Sequence, residues 1–257
     1  MVKKFNKKGQ ITIFIILAMI IVVLGILIYM FYPEIQTALG FREENPNSFI
    51  QSCLQDNIKE SVDKLSLQGG SINPEHFYLY RDNKIDYLCY TNEDYKTCFV
   101  QQPMLKEHVE SEIKEEISEK VNECFDDLEN SFKGRGYQVS LKRKNFEVEL
   151  LPKRVVAIFN YTLSLKKGES TEIHEQFNVV LNNNLYELIS IAKSIINLET
   201  TLGDAEIKNY MDFYRDLKVE KYKQSEGTTI YILTELNTGN KFQFASRSLV
   251  WPPGYSQ

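Results

Sequence analysis

Histidine is scarce in this chain of 257 residues, with three copies, and tryptophan scarcer still, with one. Neither H-E-x-x-H nor G-x-S-x-G occurs, and the phosphate-binding glycine loop and the dinucleotide fingerprint are missing as well. Catalysis needs a nucleophile, a base and a stabiliser that converge. No such set is legible, so neither an enzyme nor a cofactor is expected. His76, His108 and His174 stand among polar residues and read as surface histidines. Internal repeats and low-complexity tracts are also lacking, which excludes solenoids. Basic excess is missing too: the formal net charge is −5. Without Lys3, Lys4, Lys7 and Lys8, 26 basic residues stand against 35 acidic ones, a formal charge of −9. That sign excludes nucleic acid as a partner, since phosphate backbones need a basic surface.

One long apolar run is present. From Ile11 to Tyr32 only Thr12 and Gly25 dilute it. As a helix it would be about 33 Å long, enough for a hydrocarbon core of about 30 Å. The four lysines before it would stay on the cytoplasmic side. The sequence thus predicts a single-pass protein of the cell membrane, with the lipid bilayer contacted through Ile11 to Tyr32 and the C-terminal domain extracytoplasmic. A cleaved secretory signal is the competing reading, but its apolar region would be shorter and end in small residues, where Met30-Phe31-Tyr32-Pro33 stands instead.

The expected organisation is a basic leader at 1–9, a transmembrane helix at 10–32, a stalk at 33–48, a helical and short-strand lobe with four cysteines at 49–136, and an α+β lobe at 137–257. Ile50, Leu54, Ile58, Val62 and Leu65 recur at helical spacing, as do Leu105, Val109, Ile113, Ile117, Val121, Phe125, Leu128 and Phe132. Between these helices lie short strands rich in tyrosine. After Gly136 the period changes to two, predicting a four-strand antiparallel meander with a turn at Arg143-Lys144-Asn145 and with Ile173, Phe177, Val179 and Leu181 facing one way. A helix from Leu185 would cover that sheet, and three strands follow. The fold class is α+β: an N-terminal transmembrane helix, then antiparallel sheet packed with long amphipathic helices.

Cys53, Cys89, Cys98 and Cys124 all lie beyond the apolar run, and an even number in an exported segment points to two disulfides. Three pairings are possible. Cys89 with Cys98, across a hairpin-like Asn-Glu-Asp centre, and Cys53 with Cys124, each beside a helical stripe, is the favoured set. Four free thiols or a zinc site are the alternatives, and the irregular spacing disfavours zinc. Asn160-Tyr161-Thr162 fits a glycosylation acceptor. Trp251, Pro252, Pro253 and Tyr255 make an aromatic, proline-rich tail that docks on a partner or folds back on its own domain.

The segment KKGQITIFIILA resembles the class III signal of archaeal type IV pilin-like proteins. The resemblance implies cleavage by a prepilin peptidase between Gly9 and Gln10, with the apolar segment retained, and other surface proteins as partners. Many pilins carry glutamate at the fifth mature position; here it is Phe14, which argues against a filament more than against cleavage. The expected function is binding or assembly at the cell surface, with a tethered receptor or adhesin as alternative and an exported enzyme as a third reading.

Overall fold

A computed structural model describes residues 17–23 and 45–250. Met1–Asn45 and Pro46–Gln257 separate into two units. In the first, residues 17–23 are helical. Among the described residues no helix is long and apolar enough to cross a membrane. That finding corrects the expected fold class, whose first element was a membrane-spanning helix. Gly9, Gln10, Phe14 and the tail from Trp251 lie outside the described residues.

The second unit begins with helix α1 (Pro46–Leu67), whose five stripe residues are all buried. The short strands β1 (Phe77–Tyr80), β2 (Asn83–Tyr90) and β3 (Phe99–Val100) follow, and then helix α2 (Leu105–Gly134), all eight of whose stripe residues are buried. Two glycines make the exit from α1 possible. Gly69 and Gly70 have φ of +82° and +98°, and a Cβ on Gly69 would come within 2.8 Å of the Asp86 Cβ. Only a residue without a side chain turns this tightly against β2.

Six strands come next: β4 (Gln138–Lys142), β5 (Phe146–Leu151), β6 (Arg154–Phe159), β7 (Thr162–Lys167), β8 (Ser170–His174) and β9 (Phe177–Asn182). They pair in the orders β4-β7-β8 and β5-β6-β9. The expected meander of four strands is therefore wrong in one respect. β4 and β5 do not pair with each other, so Arg143-Lys144-Asn145 interrupts one long strand rather than turning a hairpin. Three residues there oppose Asn160 and Tyr161, because Lys142 pairs with Thr162 while Phe146 pairs with Phe159. A second offset lies between Leu163↔His174 and Phe159↔Phe177. Each extra residue reverses which parity faces inward. Val139 and Leu141 thus share a face with Phe146, Val148 and Leu150, and His174 rather than Ile173 shares the face of Phe177. Ile173 is 61% exposed, against the expectation that it was buried.

Helix α3 (Leu185–Leu202), the short helix α4 (Lys208–Phe213) and strands β10 (Leu217–Lys223), β11 (Thr228–Glu235) and β12 (Lys241–Arg247) complete the chain as described. The last three strands join β1 and β2 in the order β1-β2-β12-β11-β10, with β3 beside β2. The β2–β12 pair is parallel. This sheet is accordingly mixed, a second correction to the expected antiparallel class. Helix α1 contacts β9 and β12, and α3 contacts β6, β11 and β12, so helices pack against both sheets. One continuous core runs from Ile50 to Phe244 and includes residues of both expected lobes.

The disulfides are Cys53–Cys124, which ties α1 to α2, and Cys89–Cys98, which closes the loop after β2. These are the bridges favoured from the sequence, and they use all four cysteines. Helix side chains also close two edges of the long three-stranded sheet. Gln51 donates from Nε2 to the Val180 carbonyl (3.1 Å) and accepts from the Val180 N–H (2.9 Å), while Asn47 Oδ1 accepts from the Asn178 N–H. On the other edge Glu110 Oε1 accepts from the Leu150 N–H at 2.7 Å.

Candidate functional site

Three groups of polar or aromatic residues bear on function. The first joins the loop after α1 to β2 and α2. Ser71 Oγ donates to Asp86 Oδ2 at 2.7 Å, and His108 Nε2 lies 3.0 Å from Ser71 Oγ. Serine has one proton, already given to Asp86, so His108 must donate and its Nε2 carries hydrogen. In a hydrolytic triad the imidazole stands between serine and carboxylate and takes the serine proton. Here the serine stands in the middle, and its proton points at a carboxylate. The arrangement cannot activate Ser71 as a nucleophile. Burial pushes the Asp86 carboxyl above the usual range, while the Ser71 hydrogen bond and His108 pull it back. With Glu112 Oε2 accepting from the Ile72 N–H (2.7 Å), the group locks the 68–76 loop in place. Of the three histidines expected at the surface, His76 is exposed while His108 and His174 are half-buried.

The second group is sealed. Glu199, 2% exposed at the end of α3, accepts a hydrogen bond from the Tyr231 hydroxyl, and Lys221 bonds to Asp204 and to the Ala205 carbonyl. Burial drives the Glu199 carboxyl upward, and burial together with the Glu199 charge drives the Tyr231 phenol far above its ordinary value. Perturbed groups of this kind mark active sites when they line a cleft. Tyr231 is fully buried, and no substrate reaches the pair without opening the core. A groove of about 430 Å³ beside α2 is lined mostly by charged and polar residues, and in it Glu110 holds both Lys106 and the Leu150 N–H. Among the described residues no cluster of three His, Cys, Asp or Glu could hold a metal.

The third group is half-buried at a sheet face. On the face of the mixed sheet turned away from the helices, Ile85, Ile230, Ile232 and Ala245 form a small apolar cluster. Tyr78, Tyr80, Tyr87 and Tyr222 lie half-buried over it. A bulge gathers these rings: Ala245 pairs with Tyr87 and Ser246 with Cys89, leaving Leu88 as the extra residue. Leu88 and Cys89 then both enter the core, and Tyr87 and Tyr90 meet edge to face at 5.0 Å. Hydroxyls are fixed at the rim, Tyr87 to Thr228 at 2.8 Å and Tyr222 to Glu220 at 2.8 Å. Two cations cover the rings. The Arg81 guanidinium lies 5.0 Å from the Tyr80 ring and 5.8 Å from Tyr222, and Arg247 lies 5.6 Å from Tyr90.

No protein-family model matches this chain, and comparison with curated proteins and with solved structures finds no match either.

Tyrosine and arginine at a sheet face suit contact with another surface, because both carry large area at low entropic cost and keep a polar tip. This face was not legible as a site, although its strands were read as tyrosine-rich. Tyr78 and Tyr80 do show period two, but the bulge hides Tyr87 and Tyr90, and Tyr222 arrives from far along the chain. Of the residues singled out earlier, the four cysteines are brought together in pairs, and Cys89 sits in β2 between Tyr87 and Tyr90 with its side chain in the core. Asn160 is half-buried at the break between β6 and β7.

Proposed function

We propose that this chain is an extracytoplasmic surface protein that acts by binding or assembly, with the tyrosine face of the mixed sheet as its contact surface. The observation that carries the compartment is the pair of disulfides, which consume every cysteine and persist where thiols are oxidised. What supports a contact role is the set of half-buried tyrosines, flanked by Arg81 and Arg247, that covers the small isoleucine cluster on a sheet face with no helix over it, since tyrosine and arginine are enriched where proteins meet. Pilin-like processing at Gly9–Gln10, and attachment to the cell membrane through the N-terminal segment, belong to this reading. The receptor or adhesin alternative has less to support it, because a solute site needs an apolar cleft with convergent polar groups and the groove beside α2 is lined mostly by charged and polar residues.

Protease added to intact cells tests the location. The body from Pro46 onward should be cut while a cytoplasmic marker survives, and a tag on Gln257 should be accessible to antibody. A tag protected until the membrane is opened overturns the proposal.

A further inference from the structure

Among the described residues of the second unit two outer strands carry exposed apolar residues without a charge, the two-residue β3 (Phe99 and Val100) and the longer β1. Edges β5 and β9 are closed by Glu110, Asn47 and Gln51, and β4, β8 and β10 carry charged residues such as Lys142, Glu172 and Lys218. Blocking groups and charges are what keep sheet edges from pairing with other chains. Phe77-Tyr78-Leu79-Tyr80 has neither. Phe77 is 39% exposed and Leu79 63%.

The register says which backbone groups are free. Tyr80 and Asn83 flank a two-residue turn and form a bonded pair, so Tyr78↔Ile85 is the next bonded pair, and Leu79↔Lys84 and Phe77↔Asp86 are non-bonded pairs. The Tyr87 N–H to His76 carbonyl bond continues this alternation, and the Asp86 N–H turns away to the Gln68 carbonyl. The N–H and C=O of Phe77 and Leu79 therefore point outward from the sheet.

We propose that this edge pairs antiparallel with the same edge of a second copy, about a two-fold axis at Tyr78. Phe77 then stands opposite Leu79 of the second copy, and Leu79 opposite Phe77, so every outward N–H and C=O of these residues is used. Moving the axis to Phe77 or Leu79 leaves one of the two facing a bend or a turn. The charges agree with the Tyr78 axis. It sets the exposed Glu75 across from Arg81 of the second copy at both ends, and Arg81 lies over rings with no ion pair among the described residues. The tyrosine faces of the two copies become continuous. A four-residue strand buries far less than the roughly 800 Å² per partner of a standard interface, so this contact serves copies already concentrated on one surface. The inference rests on the assembly reading above and names its partner.

Site-directed cross-linking of the full-length chain tests it. Every native cysteine is in a disulfide, so one introduced thiol is the only free one. Across a non-bonded pair the Cα atoms stand about 4.5 Å apart, within the range a disulfide spans. Mild oxidation of Tyr78→Cys should give a band of twice 30.0 kDa on a non-reducing gel. Tyr80→Cys should not, because its counterpart lies more than about 13 Å away along the strand. Adding Leu79→Pro to Tyr78→Cys deletes an outward N–H and spares the bonds to β2, a place where an edge tolerates proline. It should lower the yield by about tenfold, with both native disulfides still found by peptide mapping. A monomeric Tyr78→Cys, equal cross-linking from Tyr80→Cys, or a yield that proline leaves unchanged overturns the proposal. None of these outcomes alters the location, which protease accessibility scores separately.

Discussion

Removing the Cys53–Cys124 bridge should destabilise the protein more than removing Cys89–Cys98. The two bonds close segments of very different size, with sequence separations of 71 and 9. In the chain-entropy account the longer loop contributes about 4.4 kcal/mol and the shorter about 2.7 kcal/mol. The loss of sulfur packing does not offset this difference: Cys124, Cys89 and Cys98 are buried and Cys53 is half-buried, so either double substitution to alanine empties similar volume. The position of the long bridge adds to the effect. It ties α1 to α2, whose stripes make up much of the larger core, whereas Cys89–Cys98 only braces the loop leading to β3. In a body of about this size 1 kcal/mol moves the melting temperature by roughly 2–4 °C. Cys53→Ala/Cys124→Ala should then melt about 9–18 °C lower and Cys89→Ala/Cys98→Ala about 5–11 °C lower. Thermal unfolding followed by far-ultraviolet circular dichroism, on full-length chains in the same detergent, measures both. An equal shift, or a larger one from the 89–98 pair, refutes the loop argument.

Glu199→Gln should stabilise the fold at neutral pH. Burial raises the Glu199 pKa in the folded state, so the native protein binds that proton more tightly than the unfolded chain; the penalty is full above the folded value and is relieved as pH falls through it. Urea midpoints at pH 5 and pH 8 should differ less in the variant, and an unchanged difference would sink the assignment. Tyr231→Phe removes the donor to that carboxylate and should cost about 1–3 kcal/mol at pH 8, more than at pH 5. Gln51→Ala uncovers the Val180 N–H and C=O; it should cost about 1 kcal/mol and raise light scattering on warming, and a variant that scatters no more than the parent argues against edge protection. Gly9→Val should leave a chain that begins at Met1 or Val2 where the parent begins at Gln10, as read by N-terminal sequencing; a parent that itself begins at Met1 or Val2 removes the pilin-like resemblance.

The helices were legible because their signal is local and redundant. In α2 eight apolar residues at spacings of three and four share one buried face, and no single residue decides the outcome. The strands after Gly136 were legible in period but not in pairing. Arg143-Lys144-Asn145 has the composition of a turn, and turn composition was read as reversal of the chain. A bulge uses the same polar residues to absorb an offset without reversing anything. Ile173 failed for the same reason: parity was carried across Glu175 and Gln176 as if the strand ran straight, and the offset there turns the isoleucine outward.

The tyrosine face was hidden for a deeper reason. Its rings come from β1, β2 and β10, and what unites them is the parallel pairing of β2 with β12, between residues more than 150 positions apart. Periodicity within a strand says which side chains share a side of that strand. It carries no information on which strands stand next to each other, and a parallel neighbour announces itself with no turn. The disulfide 89–98 was readable from sequence and bears on this sheet, yet it fixes only the loop between β2 and β3. The free edge of β1 followed only once the ladder alternation was known, because four apolar letters in a row read equally well as core. Exposure distinguishes the two: had Phe77 and Leu79 been covered by a helix, as Val180 is flanked by Gln51, the same segment would be an interior strand. That Leu79 is 63% exposed while its backbone points outward is what turns a composition into a surface with a direction, a register and a partner it can recognise.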